Sequence, residues 1–303
     1  MGVSGLKALV TGASGFLGGA LIAQLRRRGD ETVGFDRVPG ESVVAGDLWN
    51  WAHVMELVAV HRPDVIFHCG ALLSAFAEAD VAGAIAGNAN GTFHVLEAAR
   101  HFGARVVFTS TIATYGRGIG EIVGDDSPQF PSSIYGVTKV FGERLGEYYN
   151  SRYGIDFRAI RFPSVVGPGR GDSGLSAYSS LMIERPLAGE PYVVPLEPST
   201  CIPILYVRDA VRALIELGEA ADERLTRRGY LLAGISPSAG DIAIEVARRA
   251  GTGVISFNAD ATAQAIVDSW PRAIDESDAG TDWDWKSEFD LAAIVDAFAA
   301  ARS

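Results

Sequence analysis

Three glycines spaced three residues apart follow the first apolar run of this chain, and they constrain its fold more than any other feature. The run at about 6–11 (LKALVT) has the length of a buried strand, and Gly12, Gly15 and Gly18 come next, where a helical pattern over 16–28 begins. Residues without a side chain let a strand turn tightly into a helix and let a pyrophosphate approach the N–H groups of the helix start. The pattern predicts a strand–loop–helix unit that binds a dinucleotide.

The rest of the chain repeats this alternation of strand and helix. Apolar runs of strand length are followed by stretches of helical periodicity, a pattern typical of a parallel sheet covered by helices on both faces. The predicted fold class is α/β, a Rossmann doubly wound parallel sheet with a smaller C-terminal α/β substrate lobe. Further strands are predicted at 32–36, 64–68, 105–109 and 156–161, and the helices between them at 50–61, 80–102 and 133–152.

The texture of the sequence changes after residue 162, where a loop-like, glycine-rich segment begins. We therefore expect a nucleotide-binding domain at 1–162 and a mainly substrate-binding lobe at 163–303, folded against each other as one compact unit. A strand near 192–194 is expected to extend the main sheet. Later helices are predicted near 175–188, 208–219, 238–250 and 290–301.

An acidic residue at the end of the second predicted strand bears on the choice of cofactor. Asp36 stands 18 residues after Gly18, where a carboxylate accepts hydrogen bonds from ribose hydroxyls and repels a 2′-phosphate, so NAD is expected rather than NADP. Arg37 follows directly, and because a guanidinium can hold a 2′-phosphate, NADP stays open as an alternative. Asp47 and Leu48 come after a short glycine-containing turn and are predicted to border the adenine pocket.

A threonine, a tyrosine and a lysine form a second cluster. Thr111 follows the fourth predicted strand, and Tyr135 and Lys139 stand four residues apart on the next helix, so both project from one face toward the carboxyl edge of the sheet. A free tyrosine titrates at about 10, and a nearby ammonium and the positive nicotinamide are expected to favour its phenolate. We expect Tyr135 to be the acid/base, Lys139 its electrostatic partner and Thr111 a hydrogen-bonding group for the substrate oxygen.

These motifs together resemble the extended short-chain dehydrogenase/reductases, the NAD-dependent epimerase/dehydratase family, whose members combine TGxxGxxG with YxxxK and a serine or threonine. Further similarity lies at 68–71 (HCGA), 88–92 (NANGT) and 161–163 (RFP). Most extended members carry serine where this chain has Thr111. The added methyl group implies either a narrower substrate or a rotated hydroxyl.

The resemblance also assigns roles to individual residues. The catalytic residues it implies are Thr111, Tyr135 and Lys139. The substrate-binding residues it implies are Ser74, Thr111, Ser164 and Ser176. NAD is expected to contact Gly12, Ser14, Gly15, Phe16, Leu17, Gly18, Asp36, Arg37, Asp47, Leu48, Cys69, Gly70, Ala71, Asn88, Thr109, Tyr135, Lys139, Phe162, Pro163 and Val165.

Within that family the chain is most similar to the short-chain type of L-threonine 3-dehydrogenases and to D-erythronate dehydrogenases. Similarity to the threonine enzymes lies at 73–75 (LSA), 135–149 and 264–275. At 173–178 (SGLSAY) the threonine enzymes usually carry GGTTDY, a stretch that helps to bind substrate, and 186–190 (PLAGE) is closer to the erythronate enzymes. The substrate implied is a small polar β-hydroxy acid, threonine-like or aldonate-like.

Two activities remain open. In the first, Tyr135 as phenolate removes the hydroxyl proton of the hydroxy acid while hydride passes to NAD. In the second, a nucleotide-sugar 4-epimerase or dehydratase, NAD is retained and the hydride returns to the substrate, and Arg170 or Arg208 would hold the diphosphate. A binding protein without chemistry is disfavoured because Thr111, Tyr135 and Lys139 are all present.

Composition and net charge limit the classes of molecule that this chain is expected to bind. The net charge of -11 argues against nucleic acid and anionic membrane surfaces and favours a small molecule. Cys69 and Cys201 are the only cysteines, so neither a disulfide framework nor a metal site is expected. The first ten residues lack a secretory pattern and no apolar run reaches the ~18 residues of a membrane span, so a cytoplasmic location is expected. The resemblance implies a homodimer. Helix-face positions are expected for His53, His61, His94 and His101.

Overall fold

A parallel β-sheet forms the centre of the structure, a computed structural model that describes residues 5–116, 118–250 and 255–302. The strands are β1 (Lys7–Thr11), β2 (Glu31–Asp36), β3 (Val43–Ala45), β4 (Val65–His68), β5 (Arg105–Thr111), β6 (Ile122–Val123), β7 (Phe157–Phe162), β8 (Ser164–Val166), β9 (Tyr192–Val194), β10 (Ile204–Tyr206), β11 (Gly229–Leu231), β12 (Ile255–Phe257) and β13 (Ala273–Ile274). Seven of them form the main sheet in the order β11-β7-β5-β4-β1-β2-β3, with every neighbouring pair parallel. This sheet confirms the predicted α/β fold class.

Three further pairs of short strands lie outside the main sheet: β10 with β8, β12 with β9, and β13 with β6. The prediction that the strand near 192–194 extends the main sheet is wrong, because β9 pairs with β12 instead. The outer edge of β7 is occupied by β11, whose residues 229–231 run parallel to residues 159–161. A strand of three residues is too short to produce a recognisable alternation, which explains why the sequence did not predict β11.

Helices cover both faces of the sheet. They are α1 (Phe16–Arg28), α2 (Trp51–His61), α3 (Ser74–Ala79), α4 (Val81–Ala84), α5 (Gly91–Phe102), α6 (Ile134–Tyr153), α7 (Tyr178–Leu187), α8 (Val207–Glu219), α9 (Ala239–Ala250), α10 (Ala261–Val267), α11 (Ser277–Trp283) and α12 (Leu291–Ala300). The helix predicted at 80–102 is divided, since a π-helical segment over Ile85–Asn90 joins α4 to α5. No helix in the described ranges is long and apolar enough to cross a lipid bilayer.

Separate apolar clusters bury the two faces of the sheet. Successive residues of a strand point to opposite faces, and accordingly Leu9 and Val10 belong to different clusters, as do Ile66 and Phe67. Residues of α2, α5 and α6 pack on the face of Leu9, whereas residues of α1, α7 and α8 and of the C-terminal helices pack on the face of Val10. Burial on both faces is the usual condition of a parallel sheet.

Two glycines inside α6 let this helix lie close against the sheet. A Cβ atom at Gly146 would lie 2.3 Å from ring atoms of Phe157 on β7, and one at Gly142 would lie 2.6 Å from the ring of Phe108 on β5. Real Cβ atoms do not approach carbon this closely, so any larger residue at these positions would push α6 away from the strands. Because α6 carries Tyr135 and Lys139, its distance from the sheet also sets the depth of these two side chains.

We expect Gly146→Ala to lower the free energy of unfolding by about 1–3 kcal/mol, the usual cost of overpacking a buried contact. Gly19→Ala on α1 is the matched control, because its nearest neighbour would be the Ala13 carbonyl oxygen at an ordinary 3.5 Å. The control should be neutral or should gain up to about 1 kcal/mol from helix propensity. Denaturant unfolding of both variants checks this, and equal stabilities would contradict the close approach of α6.

Candidate active site

The glycine loop between β1 and α1 presents backbone rather than side chains. Gly12 has a φ of 69°, and a Cβ atom there would lie 2.7 Å from the backbone nitrogen of Gly70. A Cβ atom at Gly18 would lie 2.2 Å from the Gly12 carbonyl oxygen. Gly15 occupies the N-cap of α1 without a side-chain cap, so the first N–H groups of this helix are open to an anion. This cradle fits the diphosphate of a dinucleotide.

The carboxylate of Asp36 is fixed beside this loop. Its Oδ2 accepts the N–H of Ser14 at 3.1 Å and its Oδ1 accepts the N–H of Val38 at 3.1 Å. Each oxygen keeps a lone pair that can accept a ribose hydroxyl. The guanidinium of Arg37 lies 6.0 Å from the ring centre of Trp49. The two acceptor oxygens of Asp36 therefore fit a ribose with free hydroxyl groups.

Two histidines hold the loop that contains Asp47 and Leu48. The backbone N–H of Asp47 donates to Nδ1 of His53 at 3.2 Å, and Nδ1 of His94 donates to the carbonyl oxygen of Leu48 at 2.7 Å. The sequence predicted these histidines only as helix-face residues and missed their role. Leu48 lies 46 residues before His94, and Asp47 lies six residues before His53 but outside its helix, so helical spacing reveals neither contact.

The turn after β4 carries three more residues that are predicted to contact the cofactor, Cys69, Gly70 and Ala71. The N–H of Gly70 donates to Thr11 Oγ1 at 3.1 Å, and a Cβ atom at Gly70 would lie 2.7 Å from a methyl group of Leu48. Burial raises the pKa of the Cys69 thiol to about 12. The thiol therefore stays protonated at neutral pH and acts as a small packing group.

Tyr135 and Lys139 lie on the first turns of α6, beside the end of β5. The Ser133 side chain caps this helix by accepting the N–H of Gly136 at 3.1 Å. Lys139 Nζ donates to the carbonyl oxygen of Thr109 at 2.7 Å and lies 5.7 Å from the ring centre of Tyr135. Burial lowers the pKa of the Lys139 ammonium to about 8, so it remains mainly charged at neutral pH.

The acidity of the Tyr135 phenol depends on more than the neighbouring lysine. Burial raises its pKa above the ordinary value, and the expectation of a phenolate rested on the ammonium of Lys139 together with the positive nicotinamide. The reason is geometric: the ammonium is engaged by the Thr109 carbonyl and lies 5.7 Å from the centre of the phenol ring, so desolvation has the larger effect. The protein by itself keeps Tyr135 protonated.

Thr111 is oriented to donate its hydroxyl proton. Its Oγ1 accepts the N–H of Ala113 at 3.1 Å, which leaves the O–H free to point elsewhere. The helix start lies directly against this segment, because a Cβ atom at Gly136 would be 2.1 Å from the carbonyl oxygen of Ala113. Thr111 and the neighbour of Gly136, Tyr135, are thus brought to the same end of β5.

The predicted substrate residues come from two places. Thr111 pairs in register with Phe162 of β7, and Ser164 begins β8 two residues later. Ser164 Oγ donates to the carbonyl oxygen of Ser176 at 3.4 Å, so these two serines and Thr111 lie along the carboxyl end of β5 and β7. Ser74 is exposed at the start of α3, which follows the adjacent strand β4.

A buried chain of hydrogen bonds runs behind the cofactor loop through His68. Thr92 Oγ1 donates to the Asn88 carbonyl oxygen at 2.6 Å, so it accepts from His68 Nε2 at 3.0 Å. This assigns the Nε2–H tautomer to His68, and its Nδ1 then accepts the hydroxyl of Thr11 at 2.7 Å. Thr11 in turn accepts the N–H of Gly70. Each donor in the chain has one acceptor, and the imidazole is neutral.

Asn88 extends this chain of hydrogen bonds to α6. Its side-chain oxygen accepts the N–H of Leu72 at 2.7 Å, and its NH₂ group donates to the Leu72 carbonyl at 3.0 Å and to Thr138 Oγ1 at 3.2 Å. Thr138 Oγ1 donates to the carbonyl oxygen of Tyr135 at 2.8 Å. The amide of Asn88 therefore connects the loop after β4 to the residue that was predicted to move the proton.

A buried ion pair lies one turn beyond Lys139. Glu143 accepts from Arg161 of β7, with Nε–Oε2 and Nη2–Oε2 distances of 2.9 and 2.8 Å, and it also accepts the hydroxyl of Ser110. Both charged side chains are almost completely buried, so loss of Arg161 would leave Glu143 without its cation, whereas Arg161 also pairs with Asp125 at 3.4 Å. The pair ties α6 to β5 and β7 behind the lysine, and sequence reasoning did not identify it.

The neutral His68 predicts a specific loss of stability in acid. Burial lowers its pKa to about 3, below the ordinary value of about 6.5. Between these two values the unfolded chain binds a proton that the folded chain does not, so stability falls as pH falls from about 6.5, by about 2 kcal/mol at about pH 5. We expect His68→Gln to lack this component of the acid destabilisation.

The measurement is the free energy of denaturant unfolding at about pH 7 and about pH 5. His101→Gln is the matched control, because this histidine is exposed on α5 and should leave the pH dependence of the parent chain intact. An equal pH dependence in His68→Gln and the parent would refute a neutral buried imidazole.

Comparison with known proteins agrees with this geometry. The family model described as NAD dependent epimerase/dehydratase family matches residues 8–233. The chain is 36% identical over 303 residues to L-threonine 3-dehydrogenase, mitochondrial, of Bos taurus, with 95% of this chain and 80% of that one covered. It is 33% identical over 295 residues to D-erythronate dehydrogenase of Cupriavidus necator, with coverages of 88% and 90%.

Solved structures show the same relationship. The structure of L-threonine 3-dehydrogenase from Trypanosoma brucei matches with a TM-score of 0.91 at 31% identity, over 97% of this chain and 95% of that one. The family match, the sequence relatives and this structure agree over most of the length of the chain. The chain therefore belongs to the NAD-dependent epimerase/dehydratase family, the extended short-chain dehydrogenase/reductases.

Proposed function

We propose that this chain reversibly oxidises the secondary alcohol of a small polar β-hydroxy acid with NAD, through Tyr135, Lys139 and Thr111. The observation that carries the proposal is the convergence of these three residues at the carboxyl end of β5. Similarity to proteins named L-threonine 3-dehydrogenase and D-erythronate dehydrogenase supports a hydroxy acid over a nucleotide sugar as substrate.

Cofactor binding and substrate binding are proposed to lie on different sides of the sequence boundary at residue 162. Residues 1–162 hold NAD, with the diphosphate at the glycine loop and the start of α1 and the ribose at Asp36, and residues 163–303 mainly hold the substrate. Bound there, NAD would supply the acceptor for the hydride of the substrate carbon and, in its oxidised form, a positive charge in the site.

The residues of the chain manage the proton and the orientation of the substrate. Tyr135 takes the hydroxyl proton as the substrate carbon is oxidised to a ketone, and it returns the proton in the reverse direction. Because burial raises the pKa of this phenol, its ionisation depends on positive charge nearby, and Lys139 supplies a fixed ammonium. Thr111 donates its free O–H to the substrate oxygen, and Ser74 and Ser176 orient the remaining polar groups.

We also propose a homodimer paired through α5 and α6. Apolar side chains are exposed on these helices, including Phe93, Val137 and Phe141, with 39%, 45% and 45% of their surfaces accessible. Exposed apolar side chains on neighbouring helices are a common feature of protein interfaces. A cytoplasmic location is a further proposal. Subcellular fractionation tests it, because the name of the Bos taurus relative includes the word mitochondrial.

Tyr135→Phe should lower kcat by about 10²–10⁴-fold, because it removes the group that exchanges the proton. NAD affinity, measured by fluorescence titration, should stay within a few-fold, since the ring is retained. Tyr148→Phe is the matched control on the same helix, where the side chain is 52% exposed, and it should leave kcat unchanged. Unaltered turnover in Tyr135→Phe would remove the tyrosine from the mechanism.

Net accumulation of NADH should accompany turnover of the correct substrate. A dehydrogenase releases reduced cofactor, whereas an epimerase or dehydratase returns the hydride to its product. Absorbance should therefore rise at the NADH band with hydroxy amino acids or aldonic acids, and stay flat with UDP-sugars. Conversion of a UDP-sugar without NADH release, together with failure of every hydroxy acid, would reverse the proposal.

A further inference from the structure

Arg170 has a guanidinium edge without a partner in the substrate lobe. The residue closes a short turn after β8, with its backbone N–H donating to the Gly167 carbonyl oxygen at 3.3 Å. Nη2 donates to Ser176 Oγ at 2.9 Å. Nη1 is buried and makes no hydrogen bond within the described part of the chain. The turn thus folds the side chain back toward the serine that was predicted to bind substrate.

The two fully buried arginines of the described residues, by contrast, both have carboxylate partners. Arg158 donates to Asp156 at 2.8 Å and Arg161 donates to Glu143 at 2.8 Å. No carboxylate within residues 5–116, 118–250 and 255–302 forms an ion pair with Arg170, and burial alone lowers its pKa. Removing a cation from water without a counter-ion costs free energy, so a site that keeps such a group has a use for it.

The position of Arg170 relates it to the reacting centre by short contacts. Ser176 lies between them, since its Oγ accepts from Arg170 and its carbonyl oxygen accepts from Ser164 at 3.4 Å. Ser164 follows Phe162, the register partner of Thr111. Arg170 therefore lies beyond the C-terminal end of β8. Ser176 and Ser164 link it to the strand ends where Thr111 lies.

We propose that Arg170 binds the carboxylate of the hydroxy-acid substrate, with Ser176 fixing the guanidinium for that contact. The inference rests on the proposed function and names the group that selects its substrate class. A planar guanidinium with a free Nη edge suits a carboxylate, with which it forms charge-assisted hydrogen bonds. Substrates that lack the carboxylate, such as the corresponding amide, should then bind poorly even though the reacting alcohol is unchanged.

A phosphate of the cofactor offers the same chemistry from a second source. The turn that carries Arg170 approaches the start of α1, because a Cβ atom at Gly167 would lie 2.9 Å from the ring of Phe16. The diphosphate, however, already has the uncapped N–H groups of α1 and the glycine loop as partners. We therefore assign Arg170 to the substrate, and the experiment separates the two sources by their own affinities.

The test compares Arg170→Met and Arg170→Lys with the parent enzyme, using the hydroxy acid that gives NADH and its amide. Arg170→Met should raise KM for the acid about 10- to 100-fold, the effect of losing a charge-assisted hydrogen bond, while KM for NAD and kcat change by less than about threefold. Arg170→Lys should recover part of the affinity. Arg272→Met, at an exposed position, is the control and should match the parent.

The amide tests the same contact without relying on a variant. In the parent enzyme the amide should show a KM about 10- to 100-fold above that of the acid, and in Arg170→Met the two should converge. A rise in KM for NAD with an unchanged KM for the acid would assign Arg170 to the diphosphate and overturn the inference. Equal KM values for acid and amide in the parent would overturn it as well, even if Arg170→Met failed to fold.

The outcome also separates this inference from the proposed function. If the parent enzyme oxidises a hydroxy acid but Arg170→Met keeps the parent KM, only the role of Arg170 is wrong. If none of the hydroxy acids leads to NADH formation by the parent enzyme, the proposed function fails and the assignment of Arg170 fails with it.

Discussion

The buried hydrogen-bond chain through His68 is the constraint on which the rest of the site depends. It joins the end of β1 at Thr11, the turn after β4 at Gly70 and the first turn of α5 at Thr92, and Asn88 carries it on toward α6. A hydrogen bond in this dry interior is expensive to leave unmade, so the four segments are held at one set of distances. The glycine loop and α6, the helix that carries Tyr135 and Lys139, are therefore positioned together rather than separately.

The buried charges on α6 each have a hydrogen-bonding or ionic partner. Lys139 keeps its ammonium in a buried position by donating to a backbone carbonyl, and the charge of Glu143 one turn later is compensated by Arg161. The lysine is thus available to the tyrosine and the cofactor, because the nearby carboxylate is already paired. A bare carboxylate beside Lys139 would instead oppose the formation of a phenolate at Tyr135.

Local sequence patterns predicted much of this structure. The bounds of α1, the parallel order of the early strands and the common face of Tyr135 and Lys139 all follow from spacing that is visible within about twenty residues. Contacts between residues that are distant in the sequence could not be predicted in this way. The hydrogen bond from His94 to Leu48 spans 46 residues and that between Thr11 and His68 spans 57, so no local pattern contains them.

The errors have the same origin. The strand at 192–194 has the composition of a sheet strand, but which edge it joins depends on where β12 and β11 lie in space. For Tyr135, spacing gives the proximity of a lysine and not the burial that raises the pKa of the phenol. The unpartnered edge of Arg170 likewise depends on a count of neighbours, which a sequence does not supply.

The π-helical segment at Ile85–Asn90 has a consequence for how such a chain can change during evolution. Asn88 faces the loop after β4, while Thr92, four residues on, meets the imidazole of His68, so the wide turn sets the rotation between these two contacts. Deleting one residue here would restore an ordinary α-helix but would turn one contact away from its partner. Insertions and deletions in this helix should therefore be rarer than substitutions of its residues, because its length fixes the rotation between the two contacts.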